Sequence, residues 1–99
     1  MDINKINNND KTTLFLSGRL DSATAPKLHD ELLPEFDKTL NIELDFSALA
    51  YVSSAGLRVL LMGQKTAKAK GGKLTLTNVS EEIIEVFEMT GFADILNIE

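Results

Sequence analysis

Between Ile42 and Thr77 the chain reads strand, helix, strand, and no other stretch limits the possible folds as tightly. Ile42-Glu43-Leu44-Asp45-Phe46 alternates apolar and acidic residues, the pattern of a strand with at least one buried face. From Ser54 onward Leu57, Leu60, Leu61, Gln64 and Ala67 recur at helical spacing, and Gly71-Gly72 ends the run because glycine enters left-handed conformations cheaply. Lys73-Leu74-Thr75-Leu76-Thr77 then returns to strand character. Strands alternating with helices in this way predict an α/β sandwich, a mixed sheet with helices packed on it, and exclude a helix bundle.

The flanking segments fit the same plan. Thr12-Thr13-Leu14-Phe15-Leu16-Ser17 is β-branched and apolar, follows the turn-rich Asn7-Asn8-Asn9-Asp10 and is closed by Gly18, which predicts a hairpin or paired edge strands with Ile3 and Ile6 supplying the partner. Ala25, Leu28, Leu32 and Phe36 have helical spacing, with Pro26 tolerated in the first turn and Pro34 disturbing the end. Ser47 to Val52 reads as a loop. Ser80 followed by Glu81 and Glu82 marks a further helix start, Ile83, Ile84, Val86 and Phe87 form its apolar side, and Gly91 caps it. Ile95, Leu96 and Ile98 finish as a short strand or docked tail.

Composition narrows the function classes. The chain has 99 residues, of which 43% are hydrophobic, enough for one domain over 1–99 that buries roughly two thirds of its unfolded surface. The formal charge is −5 and the basic residues are not gathered into an arm, which argues against a nucleic-acid partner. Without cysteine there is no disulfide, thiolate nucleophile or cysteine-ligated zinc, and His29 alone makes a poor metal site. The N-terminus lacks the pattern of a signal peptide, and the most apolar stretch, Val52 to Met62, is interrupted by Arg58. The expectation is a cytoplasmic protein with no membrane segment.

The segment Asp45 to Leu57 carries hydroxyls from a strand end into a helix start, where unpaired N–H groups and the helix dipole receive an anion well. Phosphate on Ser54 adds about −1.5 to −2 charges, which at a packed interface breaks binding by repulsion and desolvation without unfolding the chain. The plainer reading is that Ser53 and Ser54 cap the helix, and the two roles are compatible. Arg58, one turn on, is either a phosphate partner or a solvated surface residue. A serine hydrolase built from Ser54, His29 and Asp21 is disfavoured, because no Gly-x-Ser-x-Gly turn is present. Gly71-Gly72-Lys73 lies between a helix and the following strand, the reverse of a Walker loop, and Glu81, Glu82, Glu85 and Glu88 fit the solvated face of a helix better than a metal site.

Gly18-Arg19-Leu20-Asp21 with Thr24-Ala25 and Leu28, then Asp45-Phe46-Ser47 with Tyr51-Val52-Ser53-Ser54-Ala55-Gly56-Leu57, then Phe87-Glu88-Met89-Thr90-Gly91-Phe92, together resemble the STAS domains of bacterial anti-sigma factor antagonists. The resemblance runs from about Thr12 to Ile98 and implies a central mixed β-sheet flanked by helices. It also implies partner switching: the unphosphorylated protein captures an anti-sigma factor that is a serine kinase of the GHKL type, phosphorylation releases that partner, and a PP2C-type phosphatase resets the cycle. The chain would be substrate and not enzyme, with no cofactor of its own. Alignment on Ser-Ala-Gly-Leu puts the acceptor at Ser54. Many members carry Asp immediately before the acceptor, whereas this chain has Ser53, which offers a second acceptor. By the same resemblance Asp21 lies beside Ser54 and positions its hydroxyl; its alternative role is a helix cap. The expected partner face is Asp21, Ser22, Thr24, Ser53 and Ser54 with Arg58, Met62 and Lys65 of the following helix, core packing being the competing reading of Met62. Within the same fold, a subunit of a lipid-transport, secretion-regulatory or stress-sensing complex with no sigma factor is the alternative.

Overall fold

A computed structural model describes residues 1–99 and places five strands in one sheet, ordered along the chain. Strand β1 (Asp2–Asn8) turns through Asn9-Asp10 into β2 (Lys11–Leu20), its antiparallel neighbour. Asn9 makes this tight reversal with φ of 57°, a left-handed conformation that asparagine tolerates better than most residues. Helix α1 (Ala25–Leu32) leads to β3 (Asn41–Val52), and helix α2 (Ser54–Ala69) leads to β4 (Lys73–Thr77). Helix α3 (Glu81–Thr90) precedes the two-residue β5 (Asn97–Ile98). The pairs β2–β3, β3–β4 and β4–β5 are all parallel, so the sheet is mixed, as the alternation of elements predicts.

Register explains the core. Leu14, Leu44 and Leu76 are neighbours across three strands and none is exposed, while Thr13 and Glu43 in the adjacent row are only part-buried. Leu28 and Leu32 of α1, Leu60 of α2 and Phe87 of α3 complete a cluster of 21 buried apolar residues. Phe87 meets Phe46 edge-on with ring centroids 6.4 Å apart, a favoured aromatic geometry.

Element ends follow local chemistry. Ser80 caps α3 by accepting a hydrogen bond from the Ile83 N–H at 3.3 Å, and Gly91 ends it with φ of 79°. Pro34 does not break α1. The helix stops at Leu32 and passes into a 3-10 turn (Leu33–Asp37) with Pro34 in its first turn, where the missing N–H costs nothing.

Two sequence expectations are corrected. Gly18 does not close its strand: β2 continues to Leu20, with Gly18 at φ of 94° and exposed. Ser47 to Val52 is not a loop, because β3 runs unbroken to Val52. Between Phe15↔Asp45 and Ser17↔Ala48, and again between Gly18↔Leu49 and Arg19↔Tyr51, β3 carries one residue more than β2. Its buried apolar positions therefore fall at Ile42, Leu44, Phe46, Leu49 and Val52, and the change in spacing from two to three erases the alternation by which a strand is recognised.

Candidate functional site

The site forms where β2 and β3 end side by side. Leu20 and Val52 are register partners, and the chain leaves them into the turn Asp21–Thr24 on one side and Ser53–Ser54 on the other. The Ser53 N–H donates to the Leu20 carbonyl at 2.8 Å, which ties the two exits together. Gly56 permits a close approach here. A β-carbon at that position would lie 2.6 Å from Leu20 Cγ and 3.1 Å from the Leu20 carbonyl oxygen, so only glycine lets the first turn of α2 rest on the end of β2.

The two serines divide the local work. Ser53 has extended backbone (φ −91°, ψ 175°), is part-buried and is the helix cap: its Oγ accepts from the Gly56 N–H at 3.3 Å, and its carbonyl accepts from the Leu57 N–H at 2.9 Å. Ser54 is the first residue of α2, is exposed and has no part in that cap. Its hydroxyl stands at the positive end of a helix of 16 residues whose first turn carries no acidic residue.

Asp21 neither bonds to Ser54 nor caps α1, whose N-cap is Thr24 with no side-chain cap bond; it closes the turn that leads into the helix. Its Oδ1 accepts from the N–H groups of Ala23 at 3.0 Å and Thr24 at 3.1 Å, and Thr24 Oγ1 lies 3.2 Å from the same oxygen. Thr24 Oγ1 also lies 2.8 Å from the Arg19 carbonyl oxygen and accepts from the Asp21 N–H at 2.9 Å, so the turn is closed on itself. No hydrogen bond joins Asp21 to Ser54. Partial desolvation opposes ionisation of Asp21, but the bonds from Thr24 and Ala23 and the charge of Arg19 outweigh it and hold the carboxyl below its ordinary value.

The expected partner residues separate into two groups. Ser22, Arg58 and Met62 line a groove of about 330 Å³ between α1 and α2, whose floor and walls include Pro26, Ala55 and Val59. Met62 is 39% exposed, which removes core packing as its role. Asp21, Thr24, Ser53 and Ser54 form the adjoining turns outside the lining, and Lys65 is exposed further along α2. Arg58 is exposed and makes no ion pair.

Sequence reasoning missed two contributors. His29 reaches the groove from α1, with its Nδ1 3.1 Å from Asp30 Oδ1. Asn78 adopts φ of 54° just past β4 and donates its side-chain N–H to Asp45 Oδ2 at 2.9 Å, while Asp45 Oδ1 accepts from the Ser47 N–H at 2.8 Å. Burial alone would raise the Asp45 carboxyl, yet these bonds from Ser47 and Asn78 keep it below the usual carboxylate range. Asp45 thereby clamps the first irregularity of β3 to the loop after β4. The helical spacing of Ala25, Leu28 and Leu32 places His29 beside the buried stripe of α1, which is a usable signal; nothing in the sequence marks Asn78.

This arrangement, a mixed sheet whose central strand delivers a capped helix with an exposed serine at its first position, is that of a STAS domain. The chain belongs to the STAS family: the family model described as "Mlab, STAS domain" matches residues 5–97. It is 35% identical over 94 residues to the anti-sigma-B factor antagonist of Bacillus subtilis (strain 168), an alignment covering 95% of this chain and 85% of that protein. Two solved structures show the same fold: the anti-sigma factor antagonist SpoIIAA in its unphosphorylated form (TM-score 0.77, 17% identity, 99% of this chain and 87% of that one), and the Bacillus cell fate determinant SpoIIAA in its phosphorylated form (TM-score 0.76, 18% identity, 99% and 91%).

Proposed function

We propose that this protein is an anti-sigma factor antagonist that works by partner switching in the cytoplasm, with Ser54 as its phosphorylation site. The unphosphorylated form captures an anti-sigma factor that is a GHKL-type serine kinase, and so frees the sigma factor. The kinase then phosphorylates Ser54, the complex parts, and a PP2C-type phosphatase restores the first state. The chain is the substrate in this cycle, and the ATP and magnesium belong to the kinase.

The observation that carries the reading is the division of labour between the serines. Ser53 holds the helix end, so Ser54 is free to be modified without loss of the cap. Ser54 also adjoins Ala55, which lines the groove with Ser22, Arg58 and Met62. A phosphate there sets about −1.5 to −2 charges at the lip of a docking surface, where repulsion and desolvation oppose binding while the fold survives. Ser53 is part-buried and its Oγ already holds the Gly56 N–H, which makes it the less accessible acceptor. The curated relative from Bacillus subtilis and a fold neighbour known in a phosphorylated form support the same reading.

The test is phosphosite mapping by mass after incubation of wild type, Ser53→Ala and Ser54→Ala with ATP, magnesium and the candidate kinase from the same genome, with a parallel pull-down. Phosphate absent only from Ser54→Ala, and loss of capture once the wild type is phosphorylated, is the expected result. An active kinase that modifies neither serine would overturn it and favour a subunit of a lipid-transport, secretion-regulatory or stress-sensing complex.

A further inference from the structure

Arg19 and Tyr51 are register partners at the ends of β2 and β3, next to Leu20 and Val52, which are buried on the opposite face. The Arg19 guanidinium carbon stands 4.1 Å from the centroid of the Tyr51 ring, within cation–π range. The pairing depends on the second irregularity of β3. Ala50 has no partner between Gly18↔Leu49 and Arg19↔Tyr51, and an extra residue of this kind re-aims the side chain that follows it.

Neither side chain serves the core, Arg19 being 62% exposed and Tyr51 40%. Their exposed chain neighbours Gly18 and Ala50 are both small and leave the stacked pair accessible from the strand ends. The ion-pair partner of the guanidinium is Asp21, at 3.9 Å from Nε to Oδ2, and none of the Arg19 side-chain donors makes a hydrogen bond within the chain.

We propose that the Arg19–Tyr51 stack is a second anchor for the kinase partner, receiving a carboxylate side chain of that protein. This rests on the function proposed above. Arginine and tyrosine are among the residue types that carry most of the energy of protein interfaces, and holding both in one stacked geometry lowers the ordering cost of binding. The guanidinium fork matches a carboxylate in bidentate fashion, and the ring shields one of its faces from water. The stack is continuous with the switch, since Arg19 lies two residues before Asp21 and Tyr51 two before Ser53. In a chain of net charge −5 an exposed arginine beside the switch offers a partner carboxylate an opposite charge, and engaging it orients the partner over Ser54.

The experiment is calorimetric titration of the kinase captured by unphosphorylated wild type with Arg19→Ala, Arg19→Lys, Tyr51→Ala, Tyr51→Phe and, as control, Met62→Asp, each checked by thermal melting. Arg19→Ala and Tyr51→Ala are expected to weaken binding about tenfold or more with unchanged melting. Tyr51→Phe keeps wild-type affinity, while Arg19→Lys loses most of what Arg19→Ala loses. Arg19→Glu should be rescued by reversing one acidic residue of the kinase. Wild-type affinity in both alanine variants, with binding lost in Met62→Asp, would overturn the second anchor and leave the proposed function standing. Wild-type affinity in Met62→Asp and Arg58→Glu as well would overturn the groove assignment together with the anchor, and a wild type that binds no kinase removes the function on which both rest.

Discussion

At the residue scale, adjacent serines with different jobs make a sharp stability test. Ser53→Ala removes the Gly56 cap and should cost about 1 kcal/mol in urea unfolding. Ser54→Ala, which touches no cap, should stay within about 0.5 kcal/mol of wild type. Equal losses would show that the cap is shared. Asp45 gives a pH test. Its carboxyl titrates lower in the folded chain than the unfolded value of about 3.9, so its stabilisation is fully present above that value and is lost as pH falls through the lower folded one. Asp45→Asn should therefore flatten the acid limb of a stability–pH curve and cost about 1–3 kcal/mol at neutral pH, through weakened bonds from Ser47 and Asn78. Ser54, Ser53 and Arg58 could be picked out from their places at a helix start, because capping is local. For Asp21 the residues suggest a helix cap and the family resemblance a contact with Ser54, whereas its bonds to Ala23 and Thr24 close the turn before α1.

At the element scale, α2 is the piece that sets the site, and its glycines show how it is seated. A β-carbon on Gly56 meets the branch carbon of Leu20 at 2.6 Å and its carbonyl oxygen at 3.1 Å, whereas one on Gly63 meets only side-chain tips, Leu32 Cδ2 at 2.8 Å and Leu74 Cδ2 at 3.0 Å. Gly56→Ala should cost about 1–3 kcal/mol by overpacking and also slow phosphorylation, because the first turn is pushed off β2. Gly63→Ala should cost less, since flexible tips can move and alanine regains up to about 1 kcal/mol of helix propensity. Chemical denaturation of both variants, with kinase assays, orders them; a more damaging Gly63→Ala would refute this seating. The helices α2 and α3 were legible because long periodic runs end in glycine. The second half of β3 was not, since two unpaired extra residues change its period, and those residues are what bring Tyr51 alongside Arg19.

At the scale of the whole molecule, the antiparallel edge strand is pinned to the helical layer by Lys5, which pairs with Glu31 at 3.7 Å and more closely with Glu35. Lys5 Nζ lies 2.8 Å from Glu35 Oε2, and the Glu35 side chain is only 3% exposed. The hydrogen bond from Lys5 to Glu35, partly offset by desolvation, raises the lysine above its ordinary value. Lys5→Met leaves a buried carboxylate alone; because the lysine side chain is 35% exposed and screened by water, the loss should be about 1–3 kcal/mol and not the larger cost of a fully buried pair. Lys5→Met with Glu35→Leu should recover most of it, and a double-mutant cycle by denaturation measures the coupling. The mixed sheet was predictable from the order of elements, but this tether was not, because it joins residues thirty positions apart. The middle place of β3 has, finally, a consequence in time. Its parallel neighbours are made before and after it, so a chain leaving the ribosome has β2 and β3 to hand while β4, beyond α2, is still to come. The serine is thus translated well before the sheet beneath it is complete, and a kinase that reads the assembled rim ignores nascent chains. A chain cut after Gly72 should be a poor substrate even though it contains every residue of the rim, and efficient phosphorylation of that fragment would show that the kinase reads sequence alone.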